Sequence, residues 1–198
     1  MVDLLGALLV GAACAIGARA FAKLIRIAKA LAWRALPLRL AVSGLGLAGL
    51  VYASRALTDQ SLSLGGGYDV FRNWLFVEVD IAVWLLVAVF VIRCMAAFFT
   101  VAGGGVGGLF VPLVVAGGIV GRGVGEVVHP ERFVMYTLLG VAAFLGAGYR
   151  VPLAAVMFVA ETTGRPGFVV PALFAAVSAE LVMGEQSITQ FQRRPEEG

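Results

Sequence analysis

The residues best suited to chemistry in this 198-residue chain carry no charge. Gly103-Gly104-Gly105-Val106-Gly107-Gly108-Leu109-Phe110-Val111-Pro112 is a glycine-rich break inside an apolar run, and a second apolar run follows it. Bare backbone is costly in a bilayer unless it lines a cavity or a site. A proline just inside a helix start leaves neighbouring amides pointing at whatever sits ahead of the helix. Aligned peptide dipoles place about half a positive elementary charge there. Such an end can hold a small anion loosely, whereas a full Lys or Arg charge would slow its exit. The same glycines would also suit close helix packing with no ligand, and the residues alone leave both readings open.

Other reactive groups are scattered. Glu161 lies in an apolar run, and an intramembrane acid is a functional candidate by default. A structural bond to backbone or to Arg150 is the plainer reading. Glu126 is the nearest acid in a glycine setting. Glu78 and Asp80 mark the water-facing end of a long apolar segment, and Glu180 the cytoplasmic end of another. His129 sits in a proline-flanked loop and is expected to be exposed. Cys14 and Cys94 have no CxxC or Cys/His spacing, so they read as buried spectators. No Ser/His/Asp set, HExxH or P-loop is present, and neither enzymatic activity nor a cofactor is expected.

The elements that position the glycine break must lie in a membrane. The chain is 61% hydrophobic and 14% charged, with mean hydropathy +0.97. Soluble domains run at about 45–50% apolar and about 25% charged. The net charge of +3 hides an uneven distribution. Arg19, Lys23, Arg26, Lys29, Arg34 and Arg39 crowd together with no acid among them. Nucleic-acid binding is one reading of that run. The positive-inside rule is the better one, and it puts the end of the first helix on the cytoplasmic side. Arg19, Lys23, Arg26 and Arg34 share one stripe of that helix, so one face is wetted. The first apolar segment lacks a basic leader region, so no cleavable signal is expected.

Pattern and punctuation predict a helix over 2–34 ended by Pro37, then a helix over 39–57. A polar, glycine-bearing connection follows, then one apolar segment over 74–100 with room for a short re-entrant turn before it. Helices are predicted from Pro112 to Val128 and over 133–147, with a loop at 129–132 between them. Gly148-Tyr149-Arg150-Val151-Pro152 is a second break-then-proline start. The helix from Pro152 to Thr163 is too short to span, since about 20 residues are needed. A turn at 164–167, a helix over 168–183 and a short segment from Ser187 to Gln192 complete the chain. Gly117, Gly121 and Gly125 recur every four residues and suit close helix packing. Short, interrupted helices of this kind point to a channel or transporter with its site near the midplane.

At Gly108-Leu109-Phe110-Val111-Pro112 the chain resembles the GxFxP motif of the CLC chloride channels and proton-coupled chloride antiporters. Ser63-Leu64-Gly65-Gly66-Gly67-Tyr68 is similar to the family's SGGGF-type loop. Gly148-Tyr149-Arg150-Val151-Pro152-Leu153 with Phe158-Val159-Ala160-Glu161-Thr162-Thr163 is similar to its RAPL…LEMT stretch, and Val170-Pro171-Ala172 to the next helix start. The order and spacings agree over nearly the whole chain. The resemblance implies an all-α polytopic membrane fold with tilted, short and broken helices. It reads residues 1–192 as a CLC-like half-domain, the second inverted repeat plus the last pore helix, and 193–198 as a polar tail.

The resemblance also implies the site. Gly108, Leu109, Phe110 and Pro112 would bind a chloride or similar anion through the amides of Leu109 and Phe110. Thr189 stands where the family places a tyrosine whose hydroxyl reaches the same anion, and a threonine reaches several ångströms less far. The serine-bearing GSGIP-like loop and the GxEGP-like loop of the gating glutamate belong to the first repeat, and neither motif occurs here.

The expected function is therefore anion transport in a lipid bilayer, in a prokaryotic inner membrane. It would need a separate or upstream N-terminal half, with the complete unit a homodimer. Two copies of this chain inserted oppositely would conflict with its one-sided basic bias. The alternative is a non-conducting interaction module that keeps the family's dimer surface near 152–163 and 168–183, with Phe168, Leu173 and Phe174 available for packing.

Overall fold

The computed structural model describes residues 2–31, 35–62, 65, 67–78, 81–105, 107–184 and 187–188. Val2–Ala30 is one helix, α1. Its buried residues Ala7, Val10, Cys14, Ala18, Phe21, Ile25 and Ala28 fall three or four apart, so one face meets the core. Arg19, Lys23 and Arg26 are exposed, as their shared stripe requires. Asp3 in the first turn and Lys29 in the last complement the helix dipole. Pro37 does not end this helix. It sits in the first turn of α2 (Leu36–Thr58), where its missing N–H costs nothing.

Helix α2 is turned inside out relative to a soluble helix. Its buried residues are Ser43 and Ser54, while Leu38, Leu40, Leu45 and Tyr52 are exposed. Hydrocarbon solvates such leucines, and polar groups must find partners inside. The Ser54 hydroxyl donates to the Gln60 carbonyl at 2.7 Å and accepts the Leu62 N–H at 2.8 Å. That pair folds the connection back onto the last turn of α2.

A short helix, α3 (Tyr68–Val70), runs into a π-helical turn at Phe71–Leu75, and α4 starts only at Val83 (Val83–Ala102). The apolar segment expected over 74–100 is therefore divided. The helix after the glycine break, α5 (Phe110–Val128), stabilises the division. Its buried Arg122 pairs with Glu126 one turn on, lies 3.6 Å from the Phe133 ring centroid, and donates to the Val77 carbonyl at 3.1 Å. The apolar run is interrupted at Glu78, and the backbone just before it is held by a side chain more than forty residues away.

A 3-10 turn at Pro130–Arg132 leads into α6 (Phe133–Tyr149), whose residues from Tyr136 to Gly148 are all buried. His129, just before that turn, is part-buried rather than exposed. Then come α7 (Pro152–Thr163), a 3-10 turn at Pro166–Phe168, and α8 (Val169–Met183). Phe168 is buried in the core and is not available for an interface, whereas Phe174 is exposed. Among the described residues, six helices are long and apolar enough to cross a membrane, and α7 is not.

The helices meet in a consistent sense. Gly6 faces Tyr136 and Gly17 faces Phe144, so α1 and α6 run parallel. Gly11 faces Ser178, and Arg19 donates to the Met183 carbonyl at 3.1 Å, so α8 runs with them. Gly117 faces Phe144 and Gly125 faces Phe133, so α5 runs against α6. The C-terminal ends of α6 and α8 and the start of α5 therefore gather at one end. Part of the basic cluster works there as helix caps. Arg19 serves α8, and Arg39 donates to Ala102, the last residue of α4, at 3.0 Å.

The seam between α5 and α6 is backbone against backbone. A Cβ at Gly140 would run into the Gly117 carbonyl and come within 2.6 Å of the Gly121 Cα. The glycine repeat of α5 thus does pack closely. Gly140→Ala is expected to destabilise the protein by about 1–3 kcal/mol through overpacking. Gly49→Ala in α2, where a Cβ meets nothing within 4 Å, is the control. Thermal unfolding in detergent checks this, and equal midpoints for the two variants would contradict it.

Candidate anion site

The site begins where α4 unwinds. Gly103 N–H donates to the Phe99 carbonyl at 2.8 Å, Gly104 N–H to Val101 at 3.0 Å and Gly105 N–H to Thr100 at 2.9 Å. Gly104 has φ +93, a left-handed conformation that only glycine adopts without strain. These bonds consume the loose carbonyls at the end of α4.

The start of α5 is built the other way. Its first turn closes with Leu113 N–H on the Leu109 carbonyl at 3.1 Å. The amides of Leu109, Phe110 and Val111 precede that bond, as the first amides of every helix do. Pro112 has no N–H to leave unsatisfied, and the first turn holds no acid. Nothing of fixed negative charge within this turn competes for its donors.

The glycines of the break divide into two kinds. At Gly103 a Cβ would come within 3.0 Å of Ser43, and at Gly105 within 2.9 Å of Thr100. At Gly107 and Gly108 it would meet nothing within 4 Å. Packing within the chain calls for the first pair and not the second. Gly107 and Gly108 instead border a cavity of about 160 Å³ that Leu109, Pro112, Thr100 and Arg93 also line. At about 30 Å³ per water it has room for a small anion with part of its hydration.

Of the residues expected to bind the anion, Gly108, Leu109, Phe110 and Pro112 lie together at this helix start. Gly108 is exposed, Leu109 and Pro112 are part-buried, and Phe110 is 40% exposed. Thr189 lies outside the described residues, as does the boundary expected at 192. Two neighbours that precede it are described. Ser187 donates its hydroxyl to the Gly148 carbonyl at 3.3 Å, and Ile188 its N–H to the same oxygen at 3.0 Å. The chain before Thr189 is thus fastened to the end of α6.

Arginine 93 was not singled out from the sequence. It is buried within α4 and donates to the Leu62 carbonyl at 3.0 Å and the Gly65 carbonyl at 3.3 Å. The loop it grips passes Gly67, with φ +80, where a Cβ would lie 2.7 Å from the guanidinium. A lone arginine in a twenty-residue apolar helix was the available signal. Two of the acids singled out from the sequence are engaged elsewhere. Glu126 pairs with Arg122, and Glu180 with Arg150 at 3.1 Å. Arg150 therefore does not hold Glu161, which is exposed. Both cysteines are buried, and no group of three metal-ligating side chains occurs among the described residues.

Arg93→Met should free the Leu62–Gly67 loop by removing a charged donor from two carbonyls, a loss of about 1.5–3 kcal/mol. Amide exchange at Leu62 and Gly67 should quicken by roughly ten- to a hundredfold. Unchanged exchange there would show that the loop does not depend on the guanidinium.

Known proteins share this fold. The chain is 25% identical over 150 residues to the H(+)/Cl(-) exchange transporter ClcA of Salmonella paratyphi A, a match covering 72% of this chain and 29% of the relative. The same transporter of Salmonella typhimurium is 25% identical over 149 residues. The chain thus matches less than a third of the length of these relatives. Its fold superposes on a slow cyanobacterial Cl-/H+ antiporter with a TM-score of 0.79 at 21% identity, covering 96% of this chain and 46% of that one. The profile of one protein family, described as voltage gated chloride channel, matches residues 1–184. This multi-pass membrane chain belongs to the voltage-gated chloride channel family.

Proposed function

We propose that the chain is the C-terminal half of a chloride-conducting unit and contributes one wall of its central anion site. The observation that carries this reading is the start of α5. Amides of Leu109 and Phe110 precede the first helical hydrogen bond and carry no acid in their turn, and Gly107 and Gly108 beside them border a cavity. A halide there meets partial positive charge from a helix end, strong enough to replace some hydration and weak enough to let it leave. Gly108 lets the anion approach backbone, and Pro112 sets the helix direction. Thr189 stands where a longer hydroxyl would complete the inner side.

The relatives and the solved structure that the chain matches are exchangers of chloride and protons, and each is longer than the stretch it shares with this chain. A companion segment, separate or upstream, would bring the serine and the gating glutamate. In the complete unit the exposed apolar side chains of α7 and α8, among them Leu153, Phe174 and Leu181, suit a homodimer contact. The same side chains favour the second reading, a membrane interaction module that does not conduct.

Chloride efflux from liposomes separates the two. The chain reconstituted with a companion half carrying the serine and glutamate loops should release chloride, and the chain alone should not. Release from neither preparation would overturn the transport reading. Leu109→Pro is the sharper probe. Leu109 has φ −83, close to proline's own value, so the change deletes one amide with little strain. Chloride affinity of the paired halves, read by calorimetry, should fall about tenfold or more. An unchanged affinity would remove Leu109 from the site.

A further inference from the structure

An apolar groove of about 210 Å³ opens where the end of α1, the start of α2 and the end of α4 meet. Leu31, Leu38, Val42, Phe98 and Phe99 line it, and Arg39 brings a charge to its wall. Leu38 and Val42 are exposed, and Phe98 and Phe99 are part-buried. Helix α2 packs chiefly on α4, and its Leu40 and Leu45 are exposed as well. Leucines and phenylalanines offer water few partners, so the groove suits hydrocarbon.

The groove lies at the basic end of the chain. Residues 19–39 hold six cations and no acid. Lys23 and Arg26 are exposed, and Lys29 comes two residues before Leu31. The Arg39 guanidinium sits at the end of α4. Its Nε–H donates to the Ala102 carbonyl at 3.0 Å, and a Cβ at Gly104 would lie 3.0 Å from Nη2. That bond takes one of the five N–H groups a guanidinium carries. The positive-inside rule accounts for the side of the membrane these cations occupy. It does not call for a hydrocarbon groove beside one of them. A larger groove of about 460 Å³, bordered by Leu9, Val83, Val87 and Val127, has no charged residue among those that line it.

We propose that the groove beside Arg39 holds one acyl chain of an anionic phospholipid of the cytoplasmic leaflet. The lipid phosphate rests on Arg39, in the field of Lys23, Arg26 and Lys29. The acyl chain covers Leu38, Val42 and the two phenylalanines. The headgroup balances a cluster that has no acid in its own segment. Each cation near the leaflet surface strengthens the hold on an anionic headgroup by about fivefold. A zwitterionic lipid of the same acyl length gains the apolar contact without the charge. Lipid binding here does not depend on conduction.

The test is native mass spectrometry of the purified chain with phosphatidylglycerol or phosphatidylcholine of identical acyl chains. One phosphatidylglycerol should stay bound, with about tenfold or greater preference over phosphatidylcholine. Arg39→Gln should reduce that preference by about fivefold. Val42→Trp fills the groove and keeps every cation, and it should weaken phosphatidylglycerol binding about tenfold by displacing methylenes. Val87→Trp, in the larger groove, should leave binding at the parental level. Both valines are about half exposed, at 53% and 55%, so neither change reaches the core. Equal affinity for the two lipids would overturn the headgroup contact, and parental affinity in Val42→Trp would overturn the groove. Loss of the lipid on adding a companion half would also overturn the proposal, since protein would then occupy the groove.

Discussion

A backbone that breaks inside a bilayer must satisfy its donors and acceptors without water. The described part of this chain treats the two kinds of group differently. Carbonyls at the breaks are taken by arginines: Ala102 by Arg39, Met183 by Arg19, Val77 by Arg122, and Leu62 with Gly65 by Arg93. The donor end at α5 receives no such treatment. Its first turn lacks an acid, and Asp3, Glu126 and Glu180 each pair with an arginine elsewhere. Fixed cations close the acceptor ends, and the donor end stays open to a mobile anion. That asymmetry is the physical basis of the proposed site.

The open end must be aimed, and the α5–α6 seam does that. Glycines on both helices bring backbone to backbone, so α5 has little freedom to slide or roll against the buried α6. The same central helix ends at Tyr149, delivers it to Phe110, and receives Ser187 and Ile188 on the preceding carbonyl. One rigid element therefore sets the positions of the amide donors, the aromatic contact and the segment entering the last part of the chain. Function here depends on helix ends, and helix ends are placed by small residues and arginines more than by apolar bulk.

Much of this was legible in residue types. The short helix Pro152–Thr163, the glycine ridge of α5 and the helix start at the glycine break follow from proline, glycine and length. What escaped were features decided by partners distant in the chain. The hold of Arg122 on the Val77 carbonyl, beside the break in the 74–100 segment, is one of them. The choice of Glu180 over Glu161 for Arg150 depends on how α6 lies against α8. Pro37 was placed on the wrong side of a helix boundary, since a proline suits the start of one helix as well as the end of another. The importance of Arg93 lay in a loop some thirty residues earlier, and periodicity within its own helix does not point there.

The central claim concerns the location of one ion. Bromide has an anomalous X-ray signal and the chemistry of a halide, so crystals of the paired halves grown in bromide test it directly. The account predicts an anomalous peak at hydrogen-bond distance from the Leu109 and Phe110 amides. Well-diffracting crystals with no peak there, or with peaks only beside the arginines that hold carbonyls, would contradict it.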